Sequence, residues 1–189
     1  MKKHIGILDI QGSVEEHFEC LLGLGVEMEL VKKPEQLEGL DGLIIPGGES
    51  TTVGKLIKKW RLEGAIKSRA KKGMAVWGTC AGAILLAEDL GLIDVKVDRN
   101  AYGRQLDSFE AEIDFNRTVV PGVFIRAPKI TFTGGAVETL AKYERDIVAA
   151  KEGNIMITTF HPELTRDLTV HRYFLEMCQG QFHTRLVDN

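Results

Sequence analysis

The sequence predicts an α/β protein: a single-domain, three-layer αβα sandwich over residues 1–189, with a mostly parallel, flavodoxin-like central sheet and antiparallel additions. Three observations carry this prediction. Short apolar runs alternate with helix-length amphipathic stretches through the first half of the chain, the pattern of strand–helix–strand units that build parallel sheets. The early apolar runs end in glycine-bearing turns, Gln11-Gly12, Pro46-Gly47-Gly48 and Gly78-Thr79-Cys80-Ala81-Gly82. After the third turn the helical period fades into short extended runs separated by glycine, proline or polar residues.

The elements follow in order. Residues 5–10 are an apolar run and predict the first strand. Ser13 stands where it would cap a helix through residue 24, with Glu16 at capping-box spacing and Gly25 as the stop. Residues 28–31 predict a second strand, and residues 32–37, with Pro34 among polar side chains, a connection. Leu43, Ile44 and Ile45 predict a third strand. A helix over 52–72 sets Val53, Leu56, Ile57 and Trp60 on one face. Residues 74–77 enter the Cys80 turn as a buried strand, and the chain leaves it as an Ala/Ile/Leu helix. Extended segments are predicted over 93–97, 109–115, 119–125 and 129–133. Residues 146–151 and 155–160 read as a hairpin with Gly153 in its turn, the second arm ending at His161-Pro162-Glu163. A last helix over 166–178 carries Val170, Tyr173, Phe174 and Met177 as an apolar stripe.

Bulk properties narrow the function. The net charge of −3 is interspersed along the 189 residues, so neither a nucleic-acid nor a membrane-surface partner is expected. Cys20, Cys80 and Cys178 are odd in number and far apart, which is neither a disulfide framework nor a metal-ligand cluster. They fit a reducing compartment. The first residues lack a long apolar stretch, and no run approaches membrane-spanning length. The expected location is cytoplasmic, and no metal or cofactor is expected.

The chemistry centres on Cys80. A small–x–nucleophile–x–small turn between strand and helix has the form of a nucleophile elbow, here with sulfur at its tip. The helix start beside it favours thiolate over thiol. The plainer reading is a buried structural cysteine between two turn-closing glycines. A nucleophilic thiol needs a base and a group to orient that base. Of the five histidines, His4, His17, His171 and His183 read as solvated or capping residues. His161 closes an apolar strand, and Pro162 keeps it extended, so its ring and the Glu163 carboxylate, two residues on, share a side. That arrangement has the logic of a triad; the alternative is a surface histidine beside an N-capping glutamate. Pro46-Gly47-Gly48-Glu49-Ser50 offers backbone N–H groups for an oxyanion, or else a tight turn capped by Ser50 or Thr51. No Gly-Lys-Ser/Thr closes it, so it is not a phosphate loop. Arg104 and Arg126 each sit amid apolar or turn residues, where either could read a carboxylate or form a surface ion pair.

Taken together, these segments resemble the class I (triad) glutamine amidotransferases, most closely the glutaminase subunits of the two-protein pyridoxal 5′-phosphate synthase. The elbow and Phe160-His161-Pro162-Glu163-Leu164-Thr165 are general to triad amidotransferases. Gly47-Gly48-Glu49-Ser50-Thr51-Thr52, Asn100-Ala101-Tyr102-Gly103-Arg104-Gln105 and Ile125-Arg126-Ala127-Pro128 are specific to the glutaminase. The resemblance implies Cys80 as nucleophile, His161 as acid/base and Glu163 as orienting carboxylate. It implies L-glutamine contacts from Gly47, Gly48, Glu49, Arg104, Ile125 and Arg126, and an oxyanion hole from Gly48 and Ala81, its Gly47–Gly48 peptide turning into place when a synthase partner docks. It places Gln11 near the docking surface and sends the ammonia to the synthase subunit of a hetero-oligomeric complex. Ala83 departs from the larger apolar residue usual in the family, and the loops around 87–92 and before Pro121 are short. Two other readings stay open on the residues alone: a cysteine hydrolase of esters, lactones or peptides, and a binding subunit that has lost turnover.

Overall fold

A computed structural model describes residues 2–99 and 108–178. Five strands run parallel in the order β2 (Glu27–Val31), β1 (His4–Leu8), β3 (Gly42–Ile45), β4 (Ala75–Thr79) and β11 (Ile155–Thr158). The reversal of strand order between β1 and β3 is the switch point at which open sheets of this type place their ligands. The central strands are apolar throughout because both faces are covered. Leu43 and Ile45 pack toward α2 (Ser50–Lys59) and α3 (Leu62–Lys71), while Ile44 packs with Ile5 and Trp77 toward α1 (Val14–Leu22) and α5 (Thr169–Met177). No helix among the described residues is long and apolar enough to cross a membrane.

Beyond β11 the sheet continues antiparallel. β10 (Asp146–Glu152) pairs with β11, then β9 (Glu138–Tyr143), β6 (Phe109–Phe115) and β7 (Thr118–Phe124) follow. β8 (Lys129–Thr133) bridges β10 and β5 (Val95–Asp98). The extended segments expected from the sequence are all present, with β9 in addition. Only Leu140 and Ala141 of β9 are buried, so its mixed sequence gave no alternating signal.

The expected helix over 52–72 is two helices, broken at Arg61, whose φ is +60°. The break corrects a phase error. Val53 and Ile57 face the core, as do Leu62, Ile66 and Ala70. A straight helix would turn Leu62 about 140° away from Ile57, five residues on. The connection before β3 contains one 3₁₀ turn, Pro34–Leu37, which buries Leu37.

Candidate active site

The elbow is set by close packing as well as by turning. A Cβ on Gly78 would lie 2.4 Å from the Gly82 carbonyl carbon, and one on Gly82 would lie 2.0 Å from the Ile45 oxygen. Both neighbours are backbone and cannot step aside, so β4, the turn and β3 touch only because these positions lack side chains. Cys80 itself takes φ +47° and ψ −103°, an uncommon conformation for a residue with a Cβ. Its amide donates to the Thr158 oxygen at 2.8 Å, tying the turn to β11. A short helix, α4 (Ala81–Ile84), follows and runs into one π turn, Leu85–Asp89. The half-buried Cys80 sulfur lies 3.9 Å from the Ile125 carbonyl oxygen, which accepts from it.

β11 delivers His161 to the same sheet edge, where its amide donates to the Val123 oxygen of β7 at 2.8 Å. The antiparallel half thus holds the ring in place. A Cβ on Gly47 would meet His161 Cε1 at 2.5 Å and Cys80 Cβ at 3.3 Å, so ring, sulfur-bearing carbon and the first glycine crowd one point. On its other side, His161 Nδ1 lies 2.7 Å from Glu163 Oε1. Both side chains are buried. Burial alone would lower the His161 pKa, but hydrogen bonds to the Cys80 sulfur and Glu163 and the charges of both outweigh it and raise it to about 10. Burial would raise Glu163; the His17 ring, the His161 bond and the Ser13 hydroxyl together hold it down to about 2.

Two expectations are corrected here. Ser13 makes no side-chain cap on α1. Its hydroxyl instead donates to Glu163 Oε1 at 2.6 Å, a charge-assisted bond that outcompetes a cap to neutral amides. His17 and His171 are neither solvated nor capping: both are fully buried, with His17 Nδ1 3.1 Å from His171 Nε2. Each is packed edge-on to Trp77, and burial lowers the pKa of both, that of His171 to about 3.

Pro46-Gly47-Gly48 forms the facing wall. The Gly47 amide donates to Thr79 Oγ1 at 2.9 Å, and the Gly47 carbonyl accepts from the Ser13 amide at 3.1 Å. Gly12, at φ +110°, lets that carbonyl approach, since a Cβ there would sit 1.6 Å from the Gly47 oxygen. Glu49, rather than Ser50 or Thr51, caps α2: its carboxylate accepts from the Thr51 amide at 3.0 Å and the Thr52 amide at 2.8 Å. The Thr52 hydroxyl, which also donates to this carboxylate, and those amide bonds hold its carboxyl below the ordinary carboxylate range.

Cys80, His161, Gly47, Gly48, Ile125 and Arg126 border one cavity of about 560 Å³, which Glu49 and Ala81 also line. Its size suits a small molecule. Glu163 stands behind His161, and Gln11 lies on the outer side of the turn, where its side-chain oxygen accepts from the Glu49 amide at 3.2 Å. Arg104 falls outside the described residues. Ser13, His17 and Thr79 reach the triad carboxylate or the Gly47 turn without having been singled out for it. The one available signal was the i, i+4 spacing of Ser13 and His17, which puts both on one helix face.

Residues 7–180 match the SNO glutamine amidotransferase family. The chain belongs to that family. The pyridoxal 5′-phosphate synthase subunit PdxT of Thermotoga petrophila is 52% identical over 184 residues, 92% of this chain and 98% of the relative. The protein of the same name from Pelotomaculum thermopropionicum is 48% identical over 185 residues, 92% of this chain and 94% of the relative. A crystal structure of a glutamine amidotransferase superposes with a TM-score of 0.88 at 44% identity, covering 93% of this chain and 98% of the other. As a glutamine amidotransferase, the chain has the elbow cysteine, the His-Pro-Glu segment and the double-glycine turn on one edge of its sheet.

Proposed function

We propose that this chain is the glutaminase subunit of a pyridoxal 5′-phosphate synthase, a single cytoplasmic domain that hydrolyses L-glutamine to L-glutamate and ammonia for a synthase partner. The observation that carries this is the convergence of the Cys80 sulfur and the His161 ring, 81 positions apart in sequence, at one cavity, with the Glu163 carboxylate bonded to the ring from behind. The relatives, which are pyridoxal 5′-phosphate synthase subunits, support the synthase partner, and three free thiols support the cytoplasm.

The raised basicity of His161 favours resting the proton it shares with Cys80 on the ring. The sulfur then attacks the side-chain carboxamide carbon of glutamine, forming a C–S bond and placing the electron pair on oxygen. The Gly48 and Ala81 amides receive that oxyanion; Ala81 opens α4, so its N–H belongs to those a helix leaves without an internal partner. One such donor contributes about 3 kcal/mol in comparable sites. His161 gives its proton to the departing ammonia, leaving a glutamyl thioester. Water, deprotonated by His161, then releases glutamate and restores the thiol. Throughout, Glu163 keeps the ring oriented and its charge balanced. Arg126 and Arg104 suit the α-carboxylate, and Ile125 the aliphatic stem. Glu49 borders the cavity with its carboxylate held by the α2 cap.

Gln11 and Ser13 both bond to the Gly47–Glu49 turn, so a partner that moves the Gln11 segment also shifts the oxyanion wall. The test is glutamate release from L-glutamine with and without the synthase subunit. Release that rises with the partner and vanishes in Cys80→Ala is expected. Hydrolysis of activated esters with no preference for glutamine would overturn the reading.

A further inference from the structure

Behind the triad lies a buried polar cluster that the proposed mechanism does not use. His17 Nε2 sits 3.6 Å from Glu163 Oε2 and 3.3 Å from Thr79 Oγ1, the same hydroxyl that receives the Gly47 amide at 2.9 Å. The ring's other nitrogen meets His171 Nε2 at 3.1 Å. Glu163 Oε2 and His171 Nδ1 are both buried without a hydrogen-bond partner among the described residues.

Those two unpartnered atoms decide which way the protons run. If His17 carried its proton on Nδ1, it would donate to His171 Nε2, and His171 would bury an unsatisfied N–H at Nδ1. His17 Nε2 could then take the Thr79 hydroxyl proton across 3.3 Å, but it would bring a lone pair and no donor toward the Glu163 carboxylate. With the proton on Nε2 instead, His17 donates into the space between Thr79 Oγ1 and Glu163 Oε2, and its Nδ1 accepts from His171 Nε2–H. The atom left bare on His171 is then a lone pair, which is easier to leave unmatched in an apolar setting than an N–H. The carboxylate also gains a donor where it otherwise has none. At 3.6 Å the pair is just beyond hydrogen-bond reach, so the ring N–H acts on the carboxylate as an aimed dipole. Trp77, edge-on to both rings and anchored through Nε1 to Thr158 Oγ1 at 3.2 Å, fixes the geometry.

We propose that His17, in its Nε2–H tautomer and held by His171, is a positioning residue that joins the orienting carboxylate of the triad to the Gly47 turn through Thr79. One hydroxyl and one imidazole thereby set the acid/base histidine and the oxyanion wall together, across β4. This rests on the triad reading above and extends it to residues outside the cavity. Burial pushes His17 toward its neutral form, in which the ring N–H faces Glu163 as a dipole and adds no second positive charge beside His161.

The test uses the complex with the synthase subunit. Wild-type turnover that is lost in Cys80→Ala secures the triad reading independently. His17→Phe keeps the shape and loses the donor; kcat should fall roughly 10- to 100-fold with KM changed less than about twofold, the scale at which outer partners of a ligating histidine act. His17→Gln, which returns an N–H near the Nε2 position, should recover most of that loss. Should His17→Phe fail to fold, ¹⁵N spectra of histidine-labelled wild type still decide the matter. They should show both buried rings protonated at Nε2 and bare at Nδ1. A folded His17→Phe with wild-type kcat, a His17→Gln no better than His17→Phe, or a His17 ring protonated at Nδ1 would each overturn the relay while leaving the triad intact.

Discussion

His161 and His17 stand on two sides of one buried carboxylate and end in opposite states. Burial pushes both toward the neutral form. His161 overcomes it because the Cys80 sulfur hydrogen-bonds the ring on one edge and Glu163 Oε1 lies 2.7 Å away on the other. His17 does not: Glu163 Oε2 is 3.6 Å away, Thr79 and His171 bring no anion to the ring, and the charge of His161 opposes a second one. The comparison teaches that a histidine's role in a buried site follows from the number and closeness of its anions more than from how deeply it is buried.

The largest effect should come from breaking the charged side. His161→Asn removes acid and base together and should lower kcat by about four orders of magnitude or more, read as glutamate release in the assembled complex. Glu163→Gln should cost roughly 10²- to 10⁴-fold, leaving the ring free to misorient. The same variant sharpens the comparison through stability. His161, held above its ordinary 6.5, contributes stability that is complete below pH 6.5 and lost as pH rises through about 10. Glu163, held below its ordinary 4.5, contributes stability that is complete above pH 4.5 and lost as pH falls through about 2. The melting-temperature gap between wild type and Glu163→Gln should therefore be widest between pH 4.5 and 6.5 and narrow on either side, as scanning calorimetry would show.

The neutral side should respond in the opposite sense. His171, held below 6.5 at about 3, contributes stability that is full above pH 6.5 and lost as pH falls toward 3. His171→Phe should flatten that acid limb, by up to about 1.4 kcal/mol per pH unit in urea titrations. An unchanged limb would mean that the ring is not buried neutral. The smallest effect belongs to Ser13→Ala, which removes one of two donors to Glu163 Oε1; kcat should drop only a few-fold, since the His161 bond survives.

Much of the fold was legible because its signals are local. Residues 43–45 read as a strand from three apolar side chains before a glycine turn, and β3 is there. The expected single helix over 52–72 failed because the break at Arg61 carries neither proline nor glycine. Only the change of apolar phase between Ile57 and Leu62 betrays it. β9 was invisible because half of its side chains face solvent. In the site, the nearness of Cys80, His161 and Glu163 was expected from their turns, whereas Ser13 read as a cap and His17 as a solvated or capping residue. Both were judged against neighbours in sequence, while their partners lie 150 and 154 positions away.

The sequence by itself determined the fold class, the elbow at Cys80 and the pairing of His161 with Glu163, because a turn, a strand end and an i, i+2 spacing are properties of adjacent residues. The tertiary structure alone decided which histidine carries charge, where the Ser13 hydroxyl points and how Thr79 ties the Gly47 turn to the wall behind the triad. Strand order brings β1, β3, β4 and β11 to one edge, and hydrogen bonds and desolvation act through space, on whatever that order makes neighbours.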